Sequence, residues 1–263
     1  MLYILYFLIA IGATTVGSLT GMGGGVIIKP LMDVLHHFDV ETIGVLSSIT
    51  VFSMSIVSIG KQLLAKTEIP FRIAIPLSVG SVLGGYLGQG MLRAIVEALQ
   101  AQEIVTVVQN VLLAILILCV YFYMRNKSHI RGLQLSGIPI SLAVGCFLGI
   151  CSSFLGIGGG PINVALIIYL YSMGTKAATV CSLMTILFAQ ISKLGTVALS
   201  TGFLVYDLSV APVMVVGAIA GGAIGASLSK NCSEEAVERA FNWVQLLVLA
   251  ITLFNIVRNL VGG

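Results

Sequence analysis

The chain has 263 residues, of which 58% are hydrophobic and only 9% charged, with a formal net charge of +3. A soluble domain carries roughly 25% charged residues, so this composition excludes a water-soluble globule. The small, dispersed positive charge also gives no footprint for nucleic acid. Mean hydropathy is +1.09, and apolar runs long enough to cross a ~30 Å hydrocarbon core recur throughout.

The first apolar piece, 2–19, lacks the basic leader of a signal peptide and reads as a membrane segment. The glycine cluster GMGGG at 21–25 separates it from a short piece at 23–37. Longer pieces follow at 42–60, 73–92 and 104–124, and then the basic stretch MRNKSHIRG at 124–132 divides the chain. Beyond it lie 136–154, the cluster GIGGG at 156–160, a second short piece at 160–173, and then 177–201, 208–229 and 240–257. The expected fold is an all-α polytopic bundle of about eight transmembrane helices, within 8–10 segments. The two short pieces read as half-length or re-entrant segments. The alternating segments of a membrane β-barrel are absent.

The two sides of the basic stretch repeat each other. GMGGGVIIKPL aligns with GIGGGPINVAL at an offset of 135, and GSVLGGYLG (80–88) with GAIAGGAIG (217–225) at 137. Pro76 and Pro212 precede the second cluster in each copy. Two glycine patterns in the same order mark an internal duplication. The organisation read from this is a first repeat over 1–124, a basic cytoplasmic linker over 125–135 and a second, inverted repeat over 136–263. The inversion follows from parity, because five pieces per half give an odd number of crossings. Lys61, Lys66 and Arg72 in one loop and Arg125, Lys127 and Arg131 in the linker fall on the same side, which the positive-inside rule makes cytoplasmic. Asp39 and Glu41 fall on the other.

The glycines divide into two kinds. Gly80, Gly84 and Gly88, like Gly217, Gly221 and Gly225, recur every fourth residue and read as a helix-packing face. Three consecutive glycines fit no such face, and each costs ~1 kcal/mol relative to alanine in a helix. GMGGG and GIGGG therefore read as breaks, with outgoing half-helices beginning at Val26 and at Pro161, a residue suited to the first helical position. Broken backbone at membrane depth is tolerated inside protein or beside a cavity. Inverted repeats with discontinuous helices are the pattern of secondary transporters, and free N–H groups at helix starts favour an anion.

The polar residues near the breaks complete the candidate set. Lys29 lies one turn into the first half-helix and Lys193 lies deep in 177–201, where a lysine costs at least ~2.5–3.5 kcal/mol. Ser47 and Thr50 match Ser182 and Thr185 at the offset of 135. The substrate-binding candidates are thus Gly21, Gly23, Gly24, Gly25, Lys29, Ser47, Thr50, Gly156, Gly158, Gly159, Gly160, Asn163, Ser182, Thr185, Gln190 and Lys193. Snorkelling of the lysines and interhelical bonding of the hydroxyls are the competing readings. Only Asp33 among the acidic residues lies within an apolar piece, which argues against a cation carrier. The five cysteines lack metal-type spacing, and His36 and His37 read as a solvated loop. No catalytic, metal or cofactor motif is present, so an enzyme is not expected.

GMGGGVIIKPLM and GIGGGPINVALII resemble the duplicated motif of the TauE/SafE family of sulfite-exporter-type permeases. Pro30 stands where that family commonly has a proline, whereas the second copy has Ala165 there. The resemblance implies a multi-pass permease of the cytoplasmic membrane with about eight helices, carrying sulfite, sulfonates or related small anions. The expected partners are such an anion and the lipid bilayer, with a homo-oligomer as a further option. A passive anion pore of the same architecture is the alternative, and a membrane scaffold or enzyme ranks below it.

Overall fold

The structure, a computed structural model, describes residues 2–65, 69–99, 102–155 and 159–261. Among the described residues there are ten α-helices and no strand. They are α1 (Leu2–Thr20), α2 (Gly25–Leu35), α3 (Val40–Leu64), α4 (Phe71–Leu99), α5 (Gln102–Asn126), α6 (Ile138–Leu155), α7 (Pro161–Tyr171), α8 (Thr175–Leu199), α9 (Ala211–Asn231) and α10 (Glu234–Val261). Eight are long and apolar enough to cross a membrane, and the two 11-residue helices α2 and α7 are not. The expected all-α bundle is the fold. Two helices outrun their apolar pieces: α4 continues past 92, and α10 starts at Glu234. Charged residues there end the apolar run without ending the helix, and Glu234 and Glu235 suit the positive end of the α10 dipole.

Each short helix folds back along the helix before it. At the base of the first hairpin Tyr6 Oη lies 3.0 Å from His37 Nδ1, and the Tyr6 ring meets Phe38 edge-on at 5.6 Å. At its tip Gly17 and Gly24 are in close contact, since a methyl on Gly17 would lie 2.5 Å from the Gly24 nitrogen. In the second hairpin Tyr171 Oη donates to Ser141 Oγ at 3.0 Å, joining the end of α7 to the start of α6. An 11-residue helix is about 16 Å long, enough to return from mid-depth to the surface. Both short segments therefore fold back as helical hairpins on the long helices before them. His36 and His37 lie exposed in the turn between α2 and α3, as expected, and His37 is also within bonding distance of Tyr6.

The remaining helices run between two ends of the molecule. Asp39 caps α3 at the Tyr6 end, where Arg258 of α10 donates to the Val34 carbonyl at 3.0 Å. At the opposite end Lys127 pairs with Glu238, and Thr175 at the start of α8 bonds both, at 3.1 Å to Lys127 Nζ and 2.7 Å to Glu238 Oε1. The periodic glycines are helix contacts, as expected. Gly80, Gly84 and Gly88 of α4 face the carbonyls of Leu142, Cys146 and Ile150 on α6, while Gly217, Gly221 and Gly225 of α9 face Phe7, Ile11 and Thr15 on α1. Exchanging the two halves turns the α1–α9 pair into α6–α4, and the α3–α9 pair into α8–α4. The helices α3 and α8 meet at the centre and are the most buried of the spans.

Candidate functional site

The first break is a turn built on left-handed backbone. Gly21 and Gly23 have φ of +75° and +71°, and Gly24, at −66°, is the N-cap of α2. A side chain at Gly21 is blocked twice, because its Cβ would also lie 2.7 Å from Thr179 Cα. The helix starts at Gly25, one residue ahead of the expected Val26. In the second break Gly159 and Gly160 have φ of +123° and +95°, and α7 starts at Pro161 as expected. Gly156 and Gly158, with Ile157 between them, lie outside the described residues.

Both breaks meet one side chain. A methyl on Gly23 would lie 3.1 Å from Ile186 Cδ1, and a methyl on Gly159 would lie 2.5 Å from Ile186 Cγ1. Ile186 sits at the middle of α8 and is fully buried. Val51, its counterpart 135 residues earlier, sits at the middle of α3, and its Cγ1 is 3.8 Å from the same Gly23 methyl position. The two hairpin tips therefore converge half-way along the central helices. Ile27 and Ile28 both donate backbone N–H to the Gly24 carbonyl, at 3.1 and 2.9 Å. The N–H groups of Gly25 and Val26 find no acceptor among the described residues. Such orphan donors, with the dipole behind them, attract negative charge. The start of α7 offers fewer, since Pro161 has no N–H and Asn163 donates to the Gly160 carbonyl.

The polar candidates fall into three groups. Ser182 Oγ donates to the Gly21 carbonyl at 2.6 Å, and Thr179 Oγ1 to the Thr20 carbonyl at 3.3 Å, so α8 anchors the first break. Thr50 and Thr185 donate to their own helices, at Leu46 (2.7 Å) and Cys181 (2.9 Å), which leaves oxygen lone pairs but commits the hydroxyl hydrogens. Ser47, Asn163 and Gln190 are all buried. The Asn163 amide nitrogen is 3.0 Å from the Gly159 methyl position, and its Oδ1 has no donor among the described residues.

Both lysines bond backbone carbonyls of other helices. Lys29 is 8% exposed, and its ammonium points to the Leu155 carbonyl at 3.5 Å, beside the second break. Half-buried Lys193 donates to the Gly44 carbonyl at 3.0 Å. These two cations, from different halves of the chain, are close enough for their charges to act on each other. Gly44 lies near the start of α3, so both cations occupy the half of the bundle toward the Tyr6 end. Asp33 stands one turn beyond Lys29 with Oδ1 buried, and it offsets part of that charge. Ile186, Gly17, Gly44 and Thr179 escaped the sequence reading, although the matched spacing of Val51 and Ile186 was there to be seen.

No curated protein and no solved structure matches the chain. A family model described as sulfite exporter TauE/SafE matches residues 6–253.

Proposed function

The chain belongs to the TauE/SafE sulfite exporter family, and from that premise we propose that it is a secondary transporter for a small, sulfur-containing anion such as sulfite or a sulfonate. Membership of a transporter family and eight apolar spans make it a multi-pass membrane protein. The observation that carries the finer reading is the convergence of the two hairpin tips on Ile186, with buried Lys29 and half-buried Lys193 on the Tyr6 side of them. The orphan N–H groups of Gly25 and Val26 supply oriented partial charge, and the two ammonium groups supply full charge. In a water-poor site these act strongly on an anion.

The two halves are inverted repeats in this reading, the hairpin tips approaching from opposite faces. The Lys127 end, rich in lysine and arginine, faces the cytoplasm, and the membrane is the cytoplasmic one. Alternating access is a rocking of one hairpin against α3 and α8, with Val51 and Ile186 as the apolar seal between the two openings. The test is flux of labelled sulfite into proteoliposomes containing the wild type, Lys29→Ala or Gly24→Val. Both substitutions are expected to abolish flux while the protein still inserts. Wild-type flux in both variants overturns the proposal.

A further inference from the structure

Away from the hairpin tips, α3 and α9 end side by side at the Lys127 end, and a recess of about 280 Å³ lies between them. Its lining is polar and basic: Lys61, Gln62, Ser227, Lys230 and Asn231 all contribute, and no carboxylate does among the described residues. Lys61 Nζ donates to Ser227 Oγ at 2.7 Å and to the Ala223 carbonyl at 3.1 Å, which fixes the ammonium at the mouth with a third hydrogen to spare. Lys176 of α8 adds a third cation by donating to the Lys230 carbonyl at 3.3 Å. The one ion pair among the described residues is Lys127 with Glu238, so Lys61 and Lys230 pair with no described carboxylate.

The surroundings of the recess are apolar and bare. Leu64 is 85% exposed, and Leu228 and Ile224 on α9 are 41% and 46% exposed. A phosphate-sized anion with hydrocarbon attached matches both features at once. Basic recesses between helices at a membrane surface hold lipid head groups in this way. We propose that this recess binds the phosphodiester of an anionic phospholipid, with Lys61 and Lys230 on the phosphate and an acyl chain along Leu64 and Leu228. The lipid bridges α3 of one half to α9 of the other, and so stabilises the junction between the halves.

Native mass spectrometry and thermal shift of the detergent-purified protein test this, with phosphatidylglycerol, phosphatidylcholine or inorganic phosphate added at equal concentration. Phosphatidylglycerol is expected to bind and to raise the melting midpoint, and the other two are expected to do neither. Each lysine near a membrane surface is worth ~1 kcal/mol toward an anionic lipid, so the Lys61→Ala/Lys230→Ala double variant should bind roughly thirtyfold more weakly. Arg131→Ala, outside the recess, should bind as the wild type does. Equal binding of the two lipids by the wild type overturns the proposal whether or not the double variant folds. Equal protection by inorganic phosphate overturns the lipid assignment in favour of a soluble anion.

Discussion

The contact between Ile186 and the second break can be tested by a double-mutant cycle. Alanine at Gly159 meets three obstacles: a φ of +123°, a Cβ placed 2.5 Å from Ile186 Cγ1, and the Asn163 amide nitrogen 3.0 Å from that Cβ. The backbone strain is about 1–3 kcal/mol, and the overlap is about 1–3 kcal/mol. Ile186→Ala alone opens a cavity in a fully buried position and costs about 2–5 kcal/mol. In the double variant the Ile186 overlap disappears, while the strain and the Asn163 contact remain. Gly159→Ala and Ile186→Ala should therefore couple favourably by about 1–3 kcal/mol, read from melting midpoints in one detergent. A parallel cycle with Gly23→Ala is the internal control. There the neighbour is the mobile Cδ1 tip at 3.1 Å, and coupling should fall below about 1 kcal/mol. Strict additivity at Gly159, or equal coupling in both cycles, would refute the placement of Ile186 between the tips.

Lys193→Met should lower anion flux in proteoliposomes at least tenfold with normal insertion, whereas Lys176→Met at the bundle end should leave flux unchanged; equal loss in both argues against a site near Lys193. Gly84→Ala drives a methyl into the Cys146 carbonyl and should cost about 3 kcal/mol or more. Gly90→Ala on the same helix meets nothing within 4 Å and should stabilise by about 0.4–1 kcal/mol, so the two midpoints should move in opposite directions. Asp39 caps α3 by accepting from Thr42 N at 3.0 Å and Thr42 Oγ1 at 2.6 Å. Its partial burial acts to raise the carboxyl pKa, but these bonds outweigh that and hold it below the usual value. The folded pKa is thus depressed, so the cap stabilises fully above the unfolded value of about 3.9 and is lost as pH falls through the folded one. Asp39→Ala should cost about 1 kcal/mol at neutral pH, and the difference from wild type should shrink in melts below about pH 4.

Much of this architecture could be read from the residues because membrane insertion imposes long apolar runs, and because glycine has few uses inside them. The break at GMGGG was visible because three adjacent glycines face all round a helix, and the face formed by Gly80, Gly84 and Gly88 because it repeats every turn. The shortness of α2 was legible and pointed to a half-length or re-entrant piece, whereas the contact that closes the hairpin, Tyr6 to His37 across 31 residues, was not. Ile186 went unnoticed for a different reason. An isoleucine in an apolar helix carries no local signal, and its importance comes from two backbones approaching it from different halves of the chain. The hydroxyls of Thr50 and Thr185 looked available because sequence cannot show bonds to the preceding turn, and both make them. Lys29 and Lys193 have no counterpart at the repeat offset, so the duplication gave no hint that they share a neighbourhood.

The pairing of α1 with α9 and of α4 with α6 means that neither half is a self-contained unit. Each lends its glycine-faced helix to its sibling's hairpin, in the manner of two interlocked, swapped protomers. A fragment ending near residue 130 would expose the bare α1 face that Gly217, Gly221 and Gly225 cover in the whole chain. Two separately encoded halves should accordingly assemble only when made together. The two halves nonetheless differ where charge is placed, since Lys29 and Lys193 stand opposite Val164 and Ser58 at the offset of 135.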